Sequence, residues 1–108
     1  MIPVDDRYAR WVVFLAPTVE VTPEPIIRAH CAHLEQLEDE GVLELAGPFL
    51  DGRGGMLVLR VADEAAARAL AERDPFVIEG VRSVDLAPLA VSCRENGHLG
   101  MGQAPLSS

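Results

Sequence analysis

The sequence predicts an α+β fold in which two helices cover one face of a four-stranded antiparallel sheet. Three observations predict it: four short apolar runs suited to strands, two helical stretches between them, and the order β-α-β-β-α-β. The 108 residues, 49% of them hydrophobic and 24% charged, suffice for one core and are too few for two. We therefore expect one domain over 1–89, followed by an extension over 90–108.

Four apolar runs are predicted as strands because each is rich in β-branched, aliphatic or aromatic residues and has Pro or Gly near one end. In chain order they are 11–15, 42–46, 56–61 and 81–86. Residues 51–55, Asp-Gly-Arg-Gly-Gly, are predicted as the turn that joins the second and third strands as an antiparallel pair. No helix with Lys-Ser or Lys-Thr follows this turn, so it is not a phosphate-binding loop.

Two helices are predicted from the residues at their ends. They cover about 23–40 and 64–73, with one further turn at 75–79. Thr22 and Asp63 are the candidate N-caps. Asp74 precedes Pro75 and is pushed away from helical angles, so the second helix ends there and Pro75 begins the extra turn. The resulting order is the ferredoxin-like, or split βαβ, arrangement.

The first three predicted strands are apolar at nearly every position rather than alternately, as is typical of strands covered on both faces. Two helices can cover only one of those faces. A monomer would expose a larger apolar patch than soluble proteins usually tolerate. A second copy of the chain, stacked sheet to sheet, would cover that patch. We therefore predict a homodimer.

The charge and the chain start exclude several classes of function. Nine Lys plus Arg against 17 Asp plus Glu give a net charge of −8, which repels a nucleic-acid backbone. No apolar run approaches the ~18 residues that a membrane span needs. Residues 1–6 lack the basic and then apolar pattern of a secretory signal, so we expect a cytoplasmic location.

The two cysteines lack the spacing of a redox or zinc motif and are expected to be reduced and separate. Cys31 lies at the edge of the first helix's apolar face and is interpreted as a small core residue. Cys93 and His98 lie in the Gly-rich extension and are too few for a metal site. We predict no metal and no cofactor, and our hypothesis for the extension is an arm packed on the partner subunit.

His30 lies in the middle of the apolar stripe of the first helix, where leucine would pack better. The apolar residues around it are Ile26, Ile27, Leu34 and Leu37. At about 100° per residue, their mean direction lies within roughly 10° of His30, so a group that titrates near neutral pH points inward. A core histidine bound to a backbone carbonyl would give the same pattern. His33, about 60° away, is interpreted as a boundary residue.

Three other polar residues are candidates for a site. Asp74 can cap the turn after Pro75, and a cap can also orient an imidazole with its second oxygen. Ser83 and Asp85 share one face of the fourth strand, where they either line a cleft or mark the solvated edge of the sheet. We favour the edge.

With these elements in place, the chain resembles the YCII-related (YciI-like) family of small dimeric α+β barrel proteins. The resemblance covers roughly 10–89 and rests on three groups of residues: His30-Cys31-Ala32-His33-Leu34 with Leu37 and Gly41, Leu45-Ala46-Gly47-Pro48, and Asp74-Pro75-Phe76 with Gly80-Val81. It implies a dimer joined through its sheets and a cleft whose His-Asp pair is proposed for acid-base catalysis. The matching residues are His30 and Asp74, whereas His33 inherits no role.

Two functions are compatible with these residues. The first is a cofactor-independent lyase or isomerase in which His30 moves a proton and Asp74 fixes its tautomer, with dehydrochlorination, known in the family, among the candidate reactions. The alternative is a non-catalytic metabolite-binding or accessory dimeric module in which both residues serve only structure. A polar cleft that joins both residues to solvent favours the enzyme, and a sealed His30 favours the module.

Overall fold

The computed structural model describes residues 5–98, which contain four strands, three α-helices and two short 3-10 turns. In chain order they are β1 (Ala9–Pro17), α1 (Glu24–Asp39), β2 (Leu43–Pro48), β3 (Gly55–Leu59), α2 (Glu64–Glu72), α3 (Pro75–Ile78) and β4 (Arg82–Ala90). The strands form one sheet in the order β2-β3-β1-β4, and every neighbouring pair is antiparallel. The predicted α+β fold class and ferredoxin-like order are confirmed.

Strand pairing extends β1, β2 and β4 beyond the apolar runs that predicted them, whereas β3 ends at Leu59, two residues before its predicted end. β1 and β4 are each nine residues long and pair at all nine positions. β2 continues through Gly47 and Pro48, which were predicted to end it. It lies at the edge of the sheet, where a proline removes no ladder hydrogen bond.

The two main helices begin in different ways. Asp63 caps α2 as predicted, because its carboxylate accepts a hydrogen bond from the Ala66 N–H at 2.8 Å. The predicted cap of α1 is wrong. Pro23 is the N-cap there, without a side-chain hydrogen bond, and Thr22 Oγ1 instead accepts from Nη1 of Arg82 at 2.9 Å. Pro25 follows in the first turn of the helix, where its fixed φ suits helical geometry and its missing N–H is not needed.

The core lies between the helices and one face of the sheet. Its fully buried side chains come from every layer: Val13, Leu37, Leu57, Leu59, Ala67 and Ala71. The two alanines belong to α2, and their small size lets this helix lie close to the strands. All three helices contribute to this core, so the sheet face away from them carries no helix within residues 5–98.

The sheet face turned away from the helices, called the open face below, is apolar at its centre. Val12 and Val58 pair directly on it and are buried, although neither belongs to the core under the helices. Around them, Phe14, Leu45 and Leu89 keep 39%, 50% and 44% of their surface exposed. The structure thus agrees with the expectation that the strands carry apolar residues on both faces.

The β2–β3 hairpin approaches β1 so closely that Gly54 has no room for a side chain. Its φ is +95°, and a Cβ atom at this position would overlap the carbonyl oxygen of Leu15. Gly55 beside it would meet the carbonyl oxygen of Gly47. The hairpin therefore presents bare backbone at the end of the sheet where the candidate site lies.

Within residues 5–98, no helix is long and apolar enough to cross a membrane, and no three His, Cys, Asp or Glu side chains are grouped as metal ligands. The cytoplasmic location stays a prediction. The described part of the extension contains a short 3-10 turn, Arg94–Asn96. The proposed arm continues over 99–108, which lie outside the described residues.

Candidate active site

His30 lies on the face of α1 that turns toward the sheet and α3. The residues Ile26, His30, His33 and Leu37 follow at the spacing of one helix face. The His30 side chain is 13% exposed, so its imidazole is mostly covered but still reaches solvent. This position places a titratable ring at the boundary between core and cleft.

Asp74 occupies the junction between α2 and α3. Its backbone is extended, with φ −70° and ψ 127°, as the following Pro75 requires. Its carboxylate caps α3 by accepting a hydrogen bond from the Phe76 N–H at 2.9 Å. The side chain is fully buried, so an ionised carboxylate here needs polar partners.

The structure brings His30 and Asp74 together. Nδ1 of His30 lies 2.8 Å from Oδ1 and 2.9 Å from Oδ2 of Asp74. An ionised carboxylate can only accept, so Nδ1 carries the proton and the neutral ring keeps its lone pair on Nε2. Within residues 5–98, Nε2 of His30 makes no hydrogen bond. The catalytic role of both residues stays a prediction.

Phe76 links this pair to a third polar side chain. Its ring stacks on the His30 imidazole, with centroids 3.8 Å apart and planes inclined by 6°. The guanidinium carbon of Arg82 lies over the same ring, 4.6 Å from its centroid. Phe76 is itself fixed by the Asp74 cap, so one junction positions an imidazole, an aromatic ring and a guanidinium.

A cleft of about 420 Å³ opens beside His30. Its walls come from α1, the Gly47 and Gly54 ends of β2 and β3, Phe76 and the start of β4. The lining is mostly aliphatic and backbone: Leu15, Ile27, His30, Cys31, Leu34, Ala46, Gly47, Pro48, Gly54, Gly55, Met56, Leu57, Phe76 and Arg82. Asp74 does not line it. The arrangement therefore combines features of both alternatives: His30 reaches the cleft, whereas the carboxylate behind it is sealed and the walls are largely apolar.

His33 is buried rather than at the boundary, which corrects the interpretation from the sequence. It is 8% exposed, and its Nε2 has no hydrogen-bond partner within residues 5–98. Burial lowers the pKa of His33, against the opposing effect of the nearby Asp74 carboxylate. Its neutral form is therefore the one that fits the fold.

The other candidate residues lie at the surface. Cys31 is exposed and lines the cleft, so its interpretation as a core residue is wrong. Ser83 and Asp85 are exposed on β4, which is an edge strand, and neither lines the cleft. Cys93 is partly buried, and its backbone N–H donates a hydrogen bond to Oδ1 of Asn96 at 2.9 Å at the start of the Arg94–Asn96 turn.

The sequence analysis missed Phe76 and Arg82 as site residues. Phe76 directly follows the Asp74-Pro75 pair, and Arg82 follows the Gly80-Val81 turn. An arginine at the first position of a strand looks like an ordinary surface residue. Only the return of β4 alongside β1, opposite Pro17, brings it to the cleft.

Comparisons with known proteins bear on the fold. One solved structure is the 5-chloro-2-hydroxyhydroquinone dehydrochlorinase TftG from Burkholderia phenoliruptrix AC1100 in complex with 2,5-dihydroxybenzoquinone. It matches with a TM-score of 0.57 and 19% identity over 72% of this chain and 90% of that chain. A second, a structural-genomics structure of the protein YjcS, has a TM-score of 0.48 and 15% identity over 74% of this chain and 95% of that chain.

The comparison with curated proteins gives no significant match. The family model for the YCII-related domain matches residues 7–90, which include every strand and helix from β1 to β4. The chain therefore belongs to the YCII-related family.

Proposed function

We propose that the protein is a small enzyme that moves a proton on a small organic substrate, as a lyase or isomerase, with His30 as the acid-base group. Asp74 is its positioning partner. The observation that carries this proposal is the 2.8 Å contact between Nδ1 of His30 and a fully buried Asp74 carboxylate, at the wall of an open cleft. The contact presents Nε2 as the base.

The chemistry follows from the tautomer. Nε2 takes the proton from a C–H or O–H bond of the substrate, and the imidazolium that forms is stabilised by the carboxylate at Nδ1. In an isomerase the proton returns to a second atom of the substrate. In a lyase the C–H electron pair forms a new double bond and a leaving group such as chloride departs to solvent. Neither route needs an electron acceptor, since the C–H electron pair stays in the substrate and the chloride leaves with the electron pair of its own bond.

The size and lining of the cleft support a small, largely apolar substrate. A volume of about 420 Å³ lies at the low end of small-molecule sites, which typically span roughly 300–1,000 Å³. The aliphatic walls suit a ring or short chain. The fold is shared with a dehydrochlorinase that was solved with a hydroxylated quinone, and this supports chlorinated or hydroxylated rings as first test substrates.

Two matched pairs of variants test the proposal. His30→Gln and Asp74→Asn change the proposed base and its positioning partner, while His98→Gln and Asp39→Asn make the same changes at exposed positions outside the cleft. The assay uses a panel of chlorinated and hydroxylated hydroquinones. It measures the release of chloride and the exchange of the substrate's C–H hydrogen atoms for deuterium.

General acid-base catalysis typically contributes roughly 10²- to 10⁴-fold, so we expect His30→Gln to lose turnover on that scale. Asp74→Asn keeps a capping oxygen and should lose a comparable or smaller factor through the wrong tautomer or ring orientation. Both control variants should keep the wild-type rate. Full turnover by His30→Gln would contradict the enzyme and favour the binding module.

We further propose that two copies of the chain associate through the open face. The proposal is supported by Phe14, Leu45 and Leu89, three large apolar side chains of that face that stay 39–50% exposed. Burying such a patch against its own copy removes apolar surface from water in both subunits at once.

A further inference from the structure

We propose that Arg82 selects the substrate of the cleft by binding an anionic oxygen, so that the enzyme takes small planar acids such as aromatic carboxylates, phenolates or enolates. The inference rests on the proposed function for the statement that a substrate occupies the cleft. Its evidence is independent of His30 and comes from the charge, the contacts and the surroundings of Arg82.

Arg82 is a partly buried cation without a carboxylate partner in an acidic protein. Within residues 5–98, six arginines have a carboxylate oxygen within 4.0 Å: Arg7, Arg10, Arg28, Arg53, Arg60 and Arg68. Of the remaining three, Arg73 and Arg94 are exposed, and water solvates them. Arg82 is partly buried and lines the cleft. Removing a charge from water is costly unless a counterion or hydrogen bonds compensate, so this position calls for an anion.

The contacts that Arg82 makes hold it in place without neutralising it. Nη1 donates to Thr22 Oγ1 and to the Val81 carbonyl oxygen, each at 2.9 Å. Both acceptors are uncharged. The flat guanidinium also lies over the Phe76 ring, which favours a cation. Nε and Nη2 of Arg82 make no hydrogen bond within residues 5–98. Two of the three guanidinium nitrogens are therefore free to donate to both oxygens of a carboxylate.

The cleft around Arg82 contains no competing acid. Its lining residues include no Asp or Glu, and the only permanent charge among them is that of Arg82. The rest of the wall is aliphatic, aromatic or backbone, which suits the flat body of a ring. A net charge of −8 would otherwise repel anions from the protein, so a positive, apolar cleft distinguishes this place from the surface.

Arg82 and His30 both line the cleft and both pack on the Phe76 ring, so we infer that one small molecule in the cleft meets the cation and the base. This juxtaposition suits a substrate in which a proton leaves an atom conjugated to the anionic oxygen. As the C–H bond breaks at Nε2, the electron pair spreads onto that oxygen, and Arg82 stabilises the added charge. The proton goes to His30 and no other reactant is needed.

The purely structural alternative is that Arg82 only ties Thr22 to β4. It makes a different forecast. If the tie were the whole role of Arg82, Thr22→Val would have the same effect as Arg82→Gln, because each removes the same hydrogen bond. If Arg82 recognises an anion, Thr22→Val keeps the charge in the cleft and should keep the recognition.

The test compares the binding of benzoate and benzamide, two probes of the same shape that differ in charge, by calorimetry on the full chain. We expect the wild type to bind benzoate more tightly than benzamide. Arg82→Gln should weaken benzoate by about 10- to 100-fold and leave benzamide unchanged, as for loss of a charged hydrogen bond. Arg82→Lys should keep part of the preference, and Thr22→Val should keep most of it.

Three results would overturn the inference: a wild type without a preference for benzoate, a preference that survives in Arg82→Gln, or an equal loss in Thr22→Val and Arg82→Gln. If Arg82→Gln does not fold, the inference is tested by comparing benzoate and benzamide binding in the wild type and in Arg82→Lys. These outcomes concern binding and are separate from turnover. An Arg82-dependent preference for benzoate together with full turnover by His30→Gln would reject the proton-transfer proposal while the anion site stands.

Discussion

His30 and His33 lie within one turn of each other on α1, yet only their packing distinguishes them. The sequence showed an apolar stripe and placed His30 at its centre. In the structure His33 and Leu37 are the buried positions, while Ile27 and Cys31 at the other edge of the stripe line the cleft. A stripe shows which residues avoid water but not which of them meet a neighbouring element and which border a cavity. Distinguishing these needs the placement of α2 and α3.

The buried His33 predicts a pH-dependent stability. Burial lowers the pKa of this imidazole in the folded chain, whereas in the unfolded chain it keeps its ordinary value of 6.5. The unfolded state therefore binds the proton first as pH falls, and the free energy of unfolding decreases below about pH 6.5, by at most about 1.4 kcal/mol per pH unit from this group. Asp74, Arg73 and His30 face it and shape this titration.

Urea denaturation at pH 7.5 and pH 5.5 measures the effect. We expect His33→Leu to lose less stability than the wild type between these two values, and His98→Leu, at an exposed position, to behave like the wild type. If His33→Leu loses as much free energy of unfolding between pH 7.5 and pH 5.5 as the wild type, other groups cause the acid sensitivity.

The elements differ in how well their sequences predicted them. α2 was predicted at both ends, since Asp63 caps it and Asp74-Pro75 follows it. The ends of β1, β2 and β4 were not, because hydrogen bonds to neighbouring strands extend them through residues that local patterns exclude. The hairpin glycines were predicted as a turn, but their close approach to β1 is a tertiary contact that no local pattern contains.

Substitutions at Gly54 and Gly52 distinguish two contributions to the stability of this hairpin: the left-handed backbone angles and the close approach to β1. Both have positive φ, +95° and +81°, but a Cβ would collide with the Leu15 carbonyl only at Gly54, whereas nothing lies within 4 Å at Gly52. Gly52→Ala should cost about 1–2 kcal/mol for the left-handed backbone alone. Gly54→Ala should cost more than that, because β1 and the hairpin must also move apart.

The measurement is the free energy of unfolding in urea for both variants, together with benzoate binding. Since Gly54 and Leu15 both line the cleft, the larger loss should coincide with altered ligand affinity only in Gly54→Ala. Equal losses in the two variants would contradict the close approach of the hairpin to β1.

At the scale of the whole molecule, the order of elements sufficed to predict the sheet topology, and the apolar character of both strand faces predicted the open face. Which residues point that way could not be predicted, because the register of β1 and β3 is set by pairing. Val13 proves to lie in the core and Val58 on the open face. The candidate pair followed from the family resemblance, while Arg82 was not predicted, since its environment exists only after β4 has joined the sheet.

The homodimer is tested by one charge on the open face. Leu45 is 50% exposed in the subunit, so Leu45→Asp should not unfold it but should oppose association. Light scattering should report about twice 11.6 kDa for the wild type and about 11.6 kDa for the variant. Ile78→Asp, on the exposed side of α3, is the matched control and should stay dimeric. A wild type that is monomeric at micromolar concentration would contradict the association.

Asp74 ends one helix, starts the next and holds the imidazole, so a single carboxylate carries both architecture and candidate chemistry. The two members of the pair are therefore under different constraints during divergence. A descendant that abandoned the reaction would still need an oxygen at position 74 to cap the second helix, whereas position 30 would need only a hydrogen-bond donor to that buried carboxylate. If the proposed proton transfer is right, relatives that perform it should keep both residues, whereas the aspartate alone is expected wherever only the helix junction is kept.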